Sequence, residues 1–244
     1  MQFEVGVGPQ GIVRALDHMA KSLVITFDVY GTLTQWDETV RDALGSILVA
    51  RGRSGADVER VANAFEAESR RLQTVGAFRS YRSILRDSLR PALAVAAMEA
   101  TAEDADVMIE RLACVPSFPE VPSVLAALVA QGHTLAPISN TDDDLLARTL
   151  EGLGPVFATA VTAEQAQAYK PNPGLFRFAQ RKLGVEMDHW LHVAQGTFSD
   201  HAVCSALGIQ AIWVNRKGAT LQDGLNPFAV IDDLSALPDI VSSP

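Results

Sequence analysis

The stretch "LVITFDVYGTL", Leu23 to Leu33, decides how this chain is read. Apolar and β-branched residues run unbroken to Phe27, with the length and make-up of a strand buried on both faces. A lone carboxylate, Asp28, follows, and then a turn at Gly31. A charge at the end of a buried strand is costly unless something pairs with it. A helix N-cap would be the ordinary explanation. Here Val29 to Leu33 separates Asp28 from the next helical pattern, so a simple cap does not account for it.

Working outward, three more short apolar runs read as buried strands: "TLAPIS" (134–139), "WLHVA" (190–194) and "AIWV" (211–214). Helical patterns separate or follow them: "DDDLLARTLEGLG", "NPGLFRFAQRKLG" and "DHAVCSALG", each closing on a glycine. Pro173 sits where proline suits a helix start. Strands alternating with helices predict an α/β fold with a parallel, Rossmann-like sheet covered on both faces. The alternation breaks between about Glu38 and Cys114, where four successive segments read as helices. "PSFPEVP" (116–122) is a proline-rich hinge leading back. The expected organisation is a leader over 1–20, an α/β core over 21–37 and 116–244, and an inserted helical cap over 38–115. Ligands of such sheets bind beyond the carboxyl ends of the strands. That places Asp28 in a crevice, under the cap.

The 244 residues are 48% hydrophobic and carry a formal net charge of −9. The size suffices for one core plus a smaller companion. An acidic chain gives no electrostatic footprint for nucleic acid or for anionic membrane, and no apolar run is long enough to span a bilayer. Cys114 and Cys204 stand far apart in no metal-binding or disulfide pattern, which favours a reduced, cytoplasmic setting. The first residues lack the basic-then-apolar order of a secretory signal. "GVGPQG" (6–11) matches a dinucleotide fingerprint with Asp28 about twenty residues on, but "FEV" is a meagre strand and Pro9 occupies the turn.

Polar residues recur at the successive strand ends: Asp28; Ser139 and Asn140; Lys170 ahead of Pro171; Gln195 and Asp200. Each has a bland reading as a cap or a solvated loop residue. Together, at the ends of strands in one sheet, they form a candidate site. His201 is the candidate to orient Asp200, and His192 lies within a strand pattern as a core or supporting residue.

In order and spacing, "FDVYGTL", "SN", "YKP" and "HVAQGTFSDH" resemble the haloacid dehalogenase superfamily, and the tyrosine two residues after Asp28 resembles its 2-haloacid dehalogenase branch. The resemblance implies a hydrolase in which Asp28 attacks carbon, displaces a leaving group and forms an aspartyl ester that water then cleaves. It implies that Lys170 keeps Asp28 ionised, that Thr32 and Ser139 fix its oxygens, and that Asp200 activates the water. Tyr30, Asn140, Gln195, Thr197 and Phe176 would contact a small anionic substrate. One of Arg70, Arg71, Arg79 or Arg82 would meet the leaving group, and spacing does not choose among them. Tyrosine, with a pKa of about 10, is a poor acid for a leaving alkoxide, whereas a halide leaves without a proton. That favours the carbon–halogen bond of a short 2-haloalkanoic acid. Gln195 and Thr197 stand where well-known members carry Ser and Asn, and Phe176 where they carry Tyr. Opening of a small cyclic carboxylate at a C–N bond, phosphoryl hydrolysis, and ligand binding without turnover therefore stay open. No cofactor is expected. A Mg²⁺ ion on Asp28 and Asp200 belongs to the phosphatase alternative alone. The resemblance also implies pairing of chains as homodimers through cap helices.

Overall fold

A computed structural model describes residues 22–242 of the chain. The expected leader and the "GVGPQG" stretch lie outside the described residues.

Among the described residues, six strands form one all-parallel sheet: β1 (Val24–Phe27), β2 (Thr134–Ser139), β3 (Val161–Thr162), β4 (Trp190–Ala194), β5 (Gln210–Val214) and β6 (Ala229–Ile231). Their order is β3-β2-β1-β4-β5-β6. Strand β1 is central, with Phe27 in register with Pro137 on one side and Val193 on the other. After β1 the chain builds outward through β2 and β3, then crosses back to start β4 on the other flank. The strand order thus reverses at β1, where a crevice opens beyond the strand ends. The backbone N–H of Asp28 donates to Val193 O at 3.0 Å, so the carboxylate emerges at that crevice.

Helices α1 (Trp36–Ala50), α2 (Val58–Thr74), α3 (Tyr81–Ala94) and α4 (Ala102–Ala113) stand between β1 and β2 in the chain. They share an apolar centre that includes Leu44, Phe65, Leu89 and Met108, all fully buried. Each such side chain removed from water contributes about 1.5–3 kcal/mol, which gives these helices a core of their own above the sheet. The remaining helices are α5 (Val121–Ala130), α6 (Asp143–Glu151), the single turn α7 (Ala163–Ala166), α8 (Pro173–Leu183), α9 (Ala202–Leu207) and α10 (Leu237–Ser242). One apolar cluster joins Phe27, Leu125, Val193 and Leu237; another joins Ile138, Phe176, Trp190 and Val203. The sheet is therefore covered on both faces, as its continuous apolar strands require.

The helical cap is tied down by groups of the core. Asp142 stands at the N-cap position of α6 but makes no side-chain bond to that helix. Its two oxygens instead accept from Tyr81 N at 2.7 Å and Arg82 N at 3.0 Å, at the start of α3. Ser80 takes the next amide, Ser83 N, so the free donors of that first turn are met. Phe78 stacks on Tyr169 with ring centroids 5.2 Å apart, and the Tyr169 hydroxyl donates to Arg79 O at 2.9 Å. No helix among the described residues is long and apolar enough to cross a membrane.

Candidate active site

Three charged side chains meet beyond β1. Lys170 Nζ lies 2.7 Å from Asp28 Oδ1 and 2.7 Å from Asp200 Oδ1. Its third hydrogen goes to Ile138 O at 3.0 Å, so all three ammonium donors are used. The Lys170 side chain is 1% exposed, Asp200 0% and Asp28 13%. Burial alone would push Lys170 down, but the two carboxylates hold it above its ordinary range. Burial works to raise Asp200, yet the Lys170 charge and the His192 hydrogen bond bring it below the usual carboxylate range. At Asp28 burial prevails and pushes the carboxyl up, with Lys170 opposing and Asp200 adding to the rise. One ammonium thus serves two acids with different environments, an arrangement that separates their proton affinities.

Backbone and side-chain bonds fix the positions. Thr32 Oγ1 donates to Asp28 Oδ2 at 2.8 Å and accepts from Gln195 N at 2.9 Å, joining the ends of β1 and β4. The Arg216 guanidinium donates to Thr32 O, pairs with Glu120 at 2.6 Å and lies over the Phe118 ring at 3.7 Å. Gly31, at φ +86°, makes the turn that returns the chain to Thr32.

The geometry gives several of the expected site residues contacts within the protein. Ser139 makes no hydrogen bond to Asp28; its hydroxyl is buried without a partner, while Lys170 and Thr32 each meet one of the carboxylate oxygens. Asn140 lines the cleft, but its amide nitrogen donates to Gln73 Oε1 at 2.8 Å and Lys170 O at 3.0 Å, while its oxygen accepts from Lys170 N at 2.7 Å. Both donor hydrogens are thus committed, and the residue holds the lysine loop. Phe176 is fully buried, edge-on to His192 with centroids 5.1 Å apart, and does not reach the cleft; α8 turns it into the core beneath the sheet. His201 Nε2 donates to Ala194 O at 2.9 Å, and the histidine that touches Asp200 is His192.

The cleft itself has a volume of about 370 Å³ and lies between α2 and the strand ends. Tyr30, Gln195 and Thr197 line it, together with Asp28 and Lys170. The Tyr30 hydroxyl lies 3.2 Å from Thr149 Oγ1; burial, ahead of that hydrogen bond, pushes the phenol above its usual range. From the cap come Glu66, Ser69, Arg70 and Gln73, spaced i, i+3, i+4, i+7 on one face of α2. Of the four arginines that spacing left open, Arg70 lines this cleft. Arg71 pairs with Glu68, Arg79 with Asp87 and Arg82 with Asp144. The acidic wall at Glu66, whose carboxyl burial pushes up, escaped sequence reading because nothing in the heptad says which polar stripe faces the core.

Among the described residues, no group of three or more His, Cys, Asp or Glu is placed to hold a metal ion. The cation between Asp28 and Asp200 is the chain's own ammonium, and Gln195 adds no charge beside it.

A family model for haloacid dehalogenase-like hydrolases matches residues 23–194, most of the described chain, including Asp28, Thr32 and Lys170. The chain belongs to this hydrolase family. Among curated relatives of this haloacid dehalogenase-like hydrolase, haloacetate dehalogenase H-2 of Moraxella sp. (strain B) is 24% identical over 92% of the chain and 100% of the relative. The (S)-2-haloacid dehalogenase of Pseudomonas sp. (strain YL) is 23% identical over 88% and 93%. The fold is shared with the L-2-haloacid dehalogenase of Xanthobacter autotrophicus, solved with chloropropionic acid covalently bound: TM-score 0.77, 18% identity, 91% of this hydrolase and 98% of that chain.

Proposed function

We propose that this hydrolase removes halide from short 2-haloalkanoic acids through an ester on Asp28. The observation that carries the reading is the buried Lys170 ammonium, 2.7 Å from both Asp28 and Asp200. That ammonium opposes the rise that burial imposes on the Asp28 carboxyl, and it brings a second carboxylate within reach of the same atoms.

In the first step an Asp28 oxygen attacks the carbon that carries the halogen. A C–O bond forms, and the C–X bond breaks with its electron pair leaving on the halide. Lys170 and Thr32 hold the carboxylate in place, which converts orientation into rate. Arg70 receives the departing anion, and backbone amides near Tyr30 take the substrate carboxylate. In the second step water attacks the acyl carbon of the ester, and Asp200 accepts its proton. The acyl–oxygen bond breaks, a 2-hydroxy acid leaves, and Asp28 is regenerated with one oxygen from water. Gln195 and Thr197 form the cleft wall beside this path. Neither step calls for a metal ion. The raised Tyr30 phenol, engaged with Thr149, supports a leaving group that needs no proton.

The test is turnover of 2-chloropropionic acid in H₂¹⁸O, with halide release followed for the wild type and Asp28→Asn. Label entering the Asp28 carboxyl over many turnovers, with no halide from the variant, is the expected result. An unlabelled Asp28 after proven turnover refutes the ester route.

A further inference from the structure

A second buried network lies behind Asp200, and the reaction just described does not use it. His192 Nε2 is 3.0 Å from Asp200 Oδ1, and His192 Nδ1 is 2.8 Å from Thr26 Oγ1. Trp190 Nε1 donates to that same Thr26 oxygen at 2.8 Å. Thr26, His192 and Asp200 are all fully buried, so no bulk water competes for these bonds.

Donor counting fixes the protons. The indole of Trp190 can only donate, so Thr26 Oγ1 accepts from it. The single Thr26 proton then has two acceptors in reach, Leu191 O at 3.4 Å and His192 Nδ1 at 2.8 Å. The Asp200 carboxylate, held ionised, can only accept, so His192 Nε2 donates to it, which leaves Nδ1 of the neutral ring to accept the Thr26 proton at 2.8 Å. His192 Nδ1 is therefore an acceptor, and the ring proton sits on Nε2, facing the carboxylate. The ring is held edge-on by Phe176.

Asp200 Oδ1 consequently accepts from both Lys170 and His192, which uses its two lone pairs. Oδ2 accepts from Ser199 Oγ at 2.5 Å. It lies beside Gly196, where a Cβ would come within 2.6 Å of it; Gly196 and Ser199 line the cleft, and Asp200 itself is buried directly behind them.

We infer that His192 is a positioning residue: its Nε2–H, set by the Trp190–Thr26 chain, locks Asp200 Oδ1 and leaves Oδ2 as the oxygen that takes the proton from water. This rests on the reading of Asp200 as the water-activating group. It assigns His192 to the second step alone, because Asp28 makes no contact with the imidazole that would affect the first.

The test compares the wild type with His192→Leu and His192→Gln on 2-chloropropionic acid, reading halide release and the intact mass of the protein during turnover. A hydrogen bond to a charged group corresponds to roughly tenfold to a hundredfold in rate. The leucine variant is expected to lose that much turnover while ester-bearing protein accumulates. Glutamine, whose amide nitrogen reaches near the Nε2 position, is expected to recover most of the loss. Equal rates for the two variants, or a loss without ester accumulation, would overturn the assignment. Should the variants fail to fold, the imidazole ¹⁵N spectrum of the wild type decides: a proton on Nε2 supports the inference, and a proton on Nδ1 overturns it. If the folded wild type releases no halide, the hydrolysis reading fails, and the same spectrum still judges the tautomer on its own.

Discussion

Replacing Lys170 by methionine tests the centre of the site most sharply. The substitution keeps the stem and deletes the ammonium, leaving Asp28 and Asp200 buried with no cation between them. Removing one partner from a buried ion pair costs about 3–5 kcal/mol, because the orphaned charge stays desolvated. At roughly 2–4 °C per kcal/mol for a chain of this size, the melting temperature should drop by about 6–20 °C. The pH dependence carries a sign. In the wild type, Asp200 is held below its ordinary pKa. Its contribution is present above the unfolded value of about 3.9 and fades as pH falls through the lower folded value. Lys170 is held above its ordinary pKa, so its share is complete below about 10.4 and fades only as pH rises beyond it. In Lys170→Met Asp28, already raised in the wild type, loses the charge that opposes the rise, and Asp200 is raised as well, so the folded state takes up protons more readily than the unfolded one. The deficit should therefore narrow as pH falls from 7 toward about 4. Denaturant titrations at several pH values measure this directly, and halide release should be abolished throughout. Adding Asp200→Asn to the variant should restore stability without restoring turnover. A methionine variant within about 0.5 kcal/mol of the wild type, a range ordinary for a surface change, with an unchanged pH profile would refute the electrostatic account.

Three further outcomes follow from geometry. Gly196→Ala would set a Cβ 2.1 Å from Ser199 Oγ and 2.6 Å from Asp200 Oδ2; circular dichroism should show a retained fold while turnover falls at least tenfold, because short side chains can move but not without displacing Asp200. Asp142→Ala removes the acceptor for two amides of α3 and should cost about 0.5–2 kcal/mol in denaturant unfolding. Arg70→Ala should depress halide release well below the levels of Arg71→Ala, Arg79→Ala and Arg82→Ala, measured side by side, because only the first side chain lines the cleft.

The central strands were legible because each is an unbroken apolar run ending in a polar turn. Val161–Thr162 and Ala229–Ile231 were not, being two and three residues long at the sheet's edges, where pairing rather than composition makes the strand. Helix α5 starts inside the proline-rich segment that reads as a hinge, since proline is welcome in a first helical turn. The first cap helix begins at Trp36, ahead of the "ETVRDALGSILVARG" stretch whose pattern reads as helical. At the site, Asp28 could be singled out because it ends a buried strand, whereas the roles expected of Lys170 and Asp200 came with the family resemblance. The roles of Asn140 and Phe176 could not be read, because they depend on which way each side chain turns once Gln73, Lys170 and Trp190 have packed around it. Thr26 and His192 are 166 positions apart, and no local pattern joins them.

The carboxylate of Asp142 sits in the short loop that follows Ser139 and holds Asn140, yet it closes the end of a helix on the other side of the cleft. Lid and floor thus share one fastening, and it is cut into the floor. A replacement lid would have to present the start of a helix to that carboxylate. Re-engineering this enzyme for bulkier substrates has to redesign the loop and the helix as a matched pair.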